Sequence, residues 1–344
     1  MLEVVRFNQW VNPAFDETFV ARPDVRLRVR PYEAPRDETL AVLAQANVLQ
    51  VSAARDELPR PWHVTGELLE HCPRLVCVSS GGAGYDTIDV DACTRAGVAV
   101  VNQSGGNAAS VAEHTMGLLL AVTHRIAQSD RWLRSHRGFR REALTGREIG
   151  GLTIGLVGIG QIGRRVARLA QAFGMQVLAT DPYVGADEIE LRGATPVTLD
   201  DLLRRCDVVS VHCPRNAETM KLFAAPQFER MKPGAIFLTT ARGGIHDEAA
   251  LHAALASGHL SGAGLDVWDV EPPPLDSPLL THDAVVATYH TAGVTAEARR
   301  RIAGMAAAQI LEVLDGRRPP RLVNPPVWDA YRARYERVLG RAPV

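Results

Sequence analysis

The stretch G-L-V-G-I-G-Q-I-G, residues 155–163, constrains the fold more than any other part of the chain. It sets Gly158, Gly160 and Gly163 in a G-x-G-x-x-G array, directly after an apolar run, L-T-I-G-L-V. A segment with Ile162, Val166, Leu169 and Phe173 at helical spacing follows at once. Glycine patterns alone are common, but strand, tight turn and helix in immediate succession are the context in which such a turn binds a dinucleotide. The glycines permit the sharp turn, the approach of the backbone to a pyrophosphate, and close packing of the helix on the strand. The pyrophosphate then rests on Gly160, Gln161 and Ile162, at a helix N-terminus whose unpaired N–H groups and dipole favour an anion. The next strand, Q-V-L-A-T, ends at Asp181, about twenty residues beyond the glycines. A carboxylate there accepts hydrogen bonds from an adenosine ribose and repels a 2′-phosphate, which predicts NAD rather than NADP as the cofactor.

Around this turn the chain alternates strands and helices, the signature of an α/β fold with parallel sheets. The first third offers V-V-R-F-N, V-R-L-R-V, N-V-L-Q-V, L-V-C-V-S and V-A-V-V-N as strands of one small open sheet, with a helix over 37–46. A long helical pattern starts at Ala108 or Ala109 and runs through Leu133. After Gly150-Gly151, the segments L-T-I-G-L-V-G, Q-V-L-A-T, D-V-V-S-V-H, A-I-F-L-T-T, G-A-G-L-D-V and A-V-V-A-T-Y predict a second, doubly wound sheet, with helices over 164–173, 199–205 and 247–256. A helix over 296–314 follows, then R-P-P-R-L-V-N-P-P and a short polar tail.

At 344 residues the chain is long enough for two domains, each with its own core. Lys and Arg (38) nearly cancel Asp and Glu (39), so nothing in the charge points to nucleic acid or an anionic membrane. The five cysteines, Cys72, Cys77, Cys93, Cys206 and Cys213, are odd in number and never spaced C-x-x-C, which argues against a disulfide framework or a zinc site. They read as small apolar fillers in a reducing compartment. The N-terminal residues lack a secretory pattern, and no apolar run approaches the ~18 residues of a spanning helix. A cytoplasmic location and no membrane partner are therefore expected.

In an open parallel sheet, ligands bind outside the carboxyl ends of the strands. Four ionisable residues fall there: Arg242 in T-T-A-R-G-G, Asp266 in G-L-D-V, Glu271 in V-E-P-P and His290 in T-Y-H-T-A-G. A lone histidine at a strand end is ordinarily a satisfied surface or core residue. The other three give this one a context. Reduction of a carbonyl needs a proton donor for the developing alkoxide, and histidine changes charge near neutral pH. A carboxylate such as Glu271 stabilises the imidazolium and fixes its tautomer. An arginine fork such as Arg242 holds a substrate carboxylate and polarises the carbonyl beside it.

The motifs G-L-V-G-I-G-Q-I-G, T-T-A-R-G-G, G-A-G-L-D-V-W-D-V-E-P and H-T-A-G-V-T, in that order, resemble those of the D-isomer-specific 2-hydroxyacid dehydrogenase family. So do S-G-G-A-G-Y-D-T-I-D-V-D-A-C-T-R-A-G-V-A-V-V-N and S-V-A-E-H-T in the first third. The resemblance spans nearly the whole chain. It implies a Rossmann cofactor domain, residues 116–294, inserted into a flavodoxin-like substrate-binding domain, residues 1–115 and 295–344, with the active site in the interdomain cleft. It also implies a homodimer built around the central helix after Asn107. By the same resemblance Arg242, Glu271 and His290 match the catalytic trio, and Asp266 the residue facing the nicotinamide carboxamide. Ala53 and the backbone of Gly82, Ala83 and Gly84 match the substrate-carboxylate region. Asn107 and Val111 lie where nicotinamide approaches, and Cys213 and Pro214 where the adenine side packs. Thr240, Ala241, Ala292 and Gly293 also border the cofactor.

The substrate is the least legible property. In the phosphoglycerate dehydrogenase branch a loop after the third strand carries an arginine beside a serine. Here it reads V-L-Q-V-S-A-A-R-D-E-L-P, with Val51 before Ser52 and the nearest arginine displaced to Arg55. The sequence runs to residue 344, and a serine-sensing domain is not expected. Glu271 speaks against formate dehydrogenase, which places glutamine there, and S-S-G-G-A lacks the lysine that phosphite dehydrogenase sets before the G-Y-D motif. A small 2-hydroxy or 2-keto acid such as hydroxypyruvate or glyoxylate is expected first and 3-phosphoglycerate second. An NAD(H)-sensing corepressor-like protein is the non-enzymatic alternative.

Overall fold

A computed structural model describes residues 1–135, 137–138 and 140–344. Contacts divide the chain into two compact units, Met1–Asn107 with Thr295–Val344, and Ala108–Val294. The first division thus falls at Asn107, against an expected 115.

The first unit contains five parallel strands, β1 (Leu2–Phe7), β2 (Val25–Arg30), β3 (Val48–Val51), β4 (Cys77–Ser80) and β5 (Ala99–Val101), in the order β2-β1-β3-β4-β5. This is the flavodoxin-like order expected from the resemblance. Successive residues of each strand point to opposite faces, and both faces are covered. Val5, Leu49, Val78 and Val100 enter one core, with Leu43 and Leu68 from the covering helices. Val4, Val48, Cys77 and Ala99 enter the other, with Phe15, Ile310 and Tyr331. Burial on both sides explains why the strands read as unbroken apolar runs.

The second unit contains β6 (Thr153–Val157), β7 (Gln176–Thr180), β8 (Thr195–Pro196), β9 (Val208–Val211), β10 (Ala235–Thr239), β11 (Leu260–Leu265) and β12 (Val285–Ala287). All are parallel, in the order β12-β11-β10-β9-β6-β7-β8. The chain runs outward from β6 to β8, then crosses back to begin β9 on the other side of β6. That reversal is the switch point at which doubly wound sheets bind ligands. The two-residue β8 was not expected, being too short to carry a periodicity.

Two expectations are corrected. The helical pattern after Asn107 is not one helix but two, Ala108–Thr123 and Ile126–Ser135, broken at Arg125 with φ +53°. The carbonyl of Thr123, which should continue the helical ladder, instead accepts the N–H of Arg147 at 2.8 Å. Gly146 permits this approach: a Cβ there would stand 2.5 Å from that carbonyl. The polar tail is also structured, forming the helix Trp328–Leu339 with Tyr331 and Tyr335 fully buried. Its apolar positions were masked by interleaved charges. Arg334 fastens it, its guanidinium donating to the carbonyls of Leu75, Ala96, Cys72 and Pro73. Among the described residues no helix is long and apolar enough to cross a membrane.

Removal of the Arg334 guanidinium strands carbonyls that the helix shields from water. Arg334→Ala is expected to lower stability to urea by about 2–4 kcal/mol, whereas a surface change such as Arg332→Ala should cost about 0.5 kcal/mol or less.

Candidate active site

The glycine turn leaves β6 at the switch point. Gly158 has φ +94°, and a Cβ on it would stand 2.9 Å from the Cys213 nitrogen, so the loop after β9 packs against it. A Cβ on Gly163 would stand 2.3 Å from the Gly158 carbonyl, which is the close strand–helix approach expected of the third glycine. Around Gly160 there is open space. The helix Gly163–Ala172 has no side-chain cap at its N-terminus, and among the described residues no acceptor takes up the N–H of Gly160, Gln161 or Ile162. Uncapped donors at a helix start favour an anion. Asp181 accepts the N–H of Ile159 and of Tyr183, both at 3.0 Å, so its carboxylate is fixed beside the turn. These residues fit the pyrophosphate and ribose of NAD.

Three neighbouring strands deliver the ionisable groups. β10 leads through Thr240 and Ala241 to Arg242, β11 ends at Asp266, and β12 leads through Thr288 to His290. His290 Nδ1 lies 2.8 Å from Glu271 Oε2. The other oxygen of Glu271 accepts the N–H of Trp268 at 3.1 Å, and the indole of Trp268 donates to the Thr288 carbonyl at 3.0 Å. Buried Trp268 thereby ties the loop bearing the acid to the strand end bearing the base. Gly243 lies so close beneath this loop that a Cβ would stand 1.8 Å from the Trp268 carbonyl, and Gly244 donates to Asp269 at 2.6 Å. The glycines after Arg242 are thus required by the same packing that positions Glu271.

Asp266 is fully buried. Its carboxylate accepts the Thr288 hydroxyl at 2.6 Å, the N–H of Thr291 at 2.8 Å and the N–H of Ala292 at 3.0 Å, while its carbonyl accepts the N–H of His290 at 2.8 Å. His114, on the helix Ala108–Thr123, reaches the same cluster, with Nε2 3.0 Å from the Thr288 hydroxyl and 3.6 Å from Asp266. A carboxamide facing Asp266 would add to this set of partners, not replace it. The bonds bend the chain so that His290 sits at φ +46°, a left-handed conformation that costs a non-glycine residue about 1–3 kcal/mol.

Burial alone would push the His290 imidazole toward its neutral form. The hydrogen bond and charge of Glu271 outweigh burial and the nearby Arg242, and the net shift is upward from 6.5. Burial pushes Glu271 up, but His290, the Trp268 amide and Arg242 together hold its carboxyl below 4.5. Both shifts favour the imidazolium–carboxylate form of the pair. Among the described residues no partner takes up the His290 Nε2.

In the first unit, the loop after β4 has the opposite polarity at its surface. The carbonyls of Gly82, Ala83 and Gly84 are taken by Gln103 N–H, the Asn102 amide and the Ser80 hydroxyl at 2.8, 2.7 and 2.5 Å. Among the described residues nothing accepts the N–H groups of the same three residues. Consecutive free amides form a concavity for an anion. Gly82 allows Ala53 to close on it, since a Cβ there would stand 2.9 Å from that of Ala53.

The remaining expected residues fall as follows. Val111 is buried on the helix Ala108–Thr123, and Asn107 is half-buried at the end of the first unit. The Thr240 hydroxyl lies 3.2 Å from that of Thr115, and the Ala241 carbonyl accepts Arg242 Nη1 at 2.7 Å. Cys213 is half-buried and Pro214 exposed, its carbonyl capping Thr219 at 2.7 Å. Ala292 is buried, its carbonyl accepting the Ser110 hydroxyl at 2.7 Å, and Gly293 is half-buried. Sequence reasoning did not single out Trp268, Thr288 or His114. Trp268 stands two residues beyond the quoted L-D and Thr288 two before the histidine, so only the spacing hinted at them.

Residues 116–292 match the family model described as D-isomer specific 2-hydroxyacid dehydrogenase, NAD binding domain. The D-3-phosphoglycerate dehydrogenase of Mycobacterium tuberculosis is 41% identical over 300 residues, covering 87% of this chain and 55% of that protein. The chain thus spans about half the length of the curated phosphoglycerate dehydrogenases that it matches. The hydroxypyruvate reductase of Thermotoga maritima is 36% identical over 303 residues, covering 87% of this chain and 95% of that one. The crystal structure of the TT0316 protein from Thermus thermophilus superposes with a TM-score of 0.82 at 33% identity, covering 94% of this chain and 100% of that one.

The pairing of His290 with Glu271 has a direct spectroscopic consequence. In an NMR pH titration the His290 ring is expected to titrate above 6.5, and in Glu271→Gln to titrate lower than in wild type, because burial and Arg242 are then opposed only by the charge of Asp266. An unchanged midpoint would dissolve the pair.

Proposed function

Because the chain belongs to the D-isomer-specific 2-hydroxyacid dehydrogenase family, we propose that it catalyses NAD-dependent oxidation and reduction at C2 of a small D-2-hydroxy or 2-keto acid, of the hydroxypyruvate or glyoxylate type. The observation that carries this reading is the His290–Glu271 pair at 2.8 Å with Nε2 left open, at the strand ends that also present Arg242. When bound, NAD supplies the hydride acceptor or donor.

The residues of the chain supply the rest. Arg242 holds the substrate carboxylate in a planar fork and draws charge from the adjacent carbonyl. In the first unit, the amides of Gly82, Ala83 and Gly84 offer an anion cradle of their own. His290, as imidazolium, gives its Nε2 proton to the C2 oxygen in keto-acid reduction and takes it back in the reverse direction. Glu271 stays ionised throughout, fixing the tautomer by accepting from Nδ1. Asp266 holds the turn that aims the ring. A second reading, 3-phosphoglycerate as substrate, is favoured by the 41% identity to phosphoglycerate dehydrogenases. Arg55 supports it poorly, being exposed and bonded through Nε to the Asp86 carbonyl at 3.0 Å.

A homodimer through the helix Ala108–Thr123 belongs to the proposal. Exposed Ile126 and Leu133 on the following helix, open to 54% and 63%, are consistent with a partner surface there. So does a cytoplasmic setting, supported by five free cysteines, four of them buried.

The test is NADH oxidation over hydroxypyruvate, glyoxylate, pyruvate and 3-phosphohydroxypyruvate, repeated with NADPH. NADH should be much the better cofactor because of Asp181; equal kcat/KM values would remove that role. His290→Ala should lower kcat for reduction by ~10²–10⁴-fold. Arg242→Lys should also be severely impaired, since an ammonium cannot make the fork, and near-native kcat and KM would place the arginine outside the site.

A further inference from the structure

The carbonyl of Ile159, in the middle of the glycine turn, accepts Nη1 of Arg192 at 2.8 Å, although 33 residues separate the two. Arg192 is half-buried at the end of the short helix Ala186–Leu191. Three contacts place it. Ile189 buries that helix in the core of the second unit. Gly193, at φ +87°, turns the chain directly after the arginine, and its carbonyl accepts the Gln171 amide at 3.0 Å. Glu188 Oε1 accepts the arginine's Nε at 2.8 Å. The guanidinium is therefore held at Nε while Nη1 reaches the turn.

Residue 159 is gripped on every side. Its side chain is fully buried, its N–H is taken by Asp181 at 3.0 Å and its carbonyl by Arg192. In a planar trans peptide the carbonyl of one residue and the N–H of the next point in opposite directions. A carbonyl drawn to Arg192 therefore turns the N–H of Gly160 away from the arginine. Among the described residues nothing accepts that N–H, and a Cβ on Gly160 would meet no atom within 4 Å. The donor is left for an acceptor from outside the chain. Glycine makes such a grip useful, because a residue without a Cβ samples many backbone conformations, and an amide that must be ordered on binding loses affinity. A charged donor on the carbonyl of the same peptide plane removes that freedom beforehand.

We propose that Arg192 is a positioning residue for the pyrophosphate of the cofactor: it aims the Gly160 amide by holding the Ile159 carbonyl, and acts through that peptide instead of as a counter-charge to the phosphate. The inference rests on the binding of NAD at the glycine turn and adds a residue that the G-x-G-x-x-G pattern does not contain.

The test is competition of adenosine and of ADP-ribose against NADH, read by NADH fluorescence, since only ADP-ribose brings a pyrophosphate to the turn. Arg192→Met should raise the Ki of ADP-ribose about 10-fold and leave that of adenosine within about 2-fold. Retained adenosine binding also shows that the variant is folded. Glu188→Gln separates aim from charge. Loss of a negative charge would tighten ADP-ribose binding if Arg192 acted as a counter-charge, whereas a loosened guanidinium should weaken it about 2- to 5-fold. In ¹H–¹⁵N spectra of the unliganded protein the Gly160 amide should shift in Arg192→Met, because the carbonyl of its peptide loses a donor. An unmoved Gly160 resonance, an unchanged ratio of the two Ki values, or tighter binding in Glu188→Gln overturns the inference and leaves the cofactor reading of the turn standing. Failure of wild type to bind NADH or ADP-ribose overturns that reading, and the inference with it.

Discussion

The carboxylate of Asp266 is the constraint on which the candidate site depends. A buried carboxyl group is costly unless each oxygen is well bonded, and here one hydroxyl and two successive backbone N–H groups surround it. Those same bonds hold the chain in the left-handed bend at His290, so the strain of the bend is offset by the hydrogen bonds that satisfy the buried side chain. The outcome is a ring whose Nδ1 is committed to Glu271 and whose Nε2 is left for other chemistry.

Around that centre the topology does most of the positioning. β10, β11 and β12 are adjacent and parallel, so Arg242, Asp266 and His290 leave the sheet from the same edge although they are widely separated in sequence. β6 and β9 diverge at the switch point, and the glycine turn occupies it with an uncapped helix behind. Trp268 then couples the groups: one side chain ties the Glu271 loop to the strand carrying the histidine. Electrostatics follow from this packing, since the charge of Glu271 acts on His290 only because the loop is fixed.

Much of this was legible in the residues. The glycine turn, the strand-end acid at Asp181 and both parallel sheets follow from local pattern, because a strand buried on both faces has no choice but to be apolar throughout. The approach of Glu271 to His290 was legible through their chemistry and their place at the strand ends. What escaped was non-local. The break at Arg125 depends on Arg147 capturing a carbonyl 24 residues earlier, which no helical periodicity encodes. The helix Trp328–Leu339 is polar on most of its surface and owes its place to two buried tyrosines and the four carbonyls bonded by Arg334. The cradle of Thr288, Thr291 and Ala292 around Asp266 likewise arises only when two strands lie side by side.

The proposed role of the strand-end trio is hydride transfer between nicotinamide and C2 of an acid. The decisive measurement is to incubate the purified protein with a 2-keto acid and NADH deuterated at both C4 positions, then locate the label. The expected product is a D-2-hydroxy acid with one deuterium at C2, formed by wild type and suppressed in His290→Ala. Product without deuterium at C2, or of the L configuration, would contradict it.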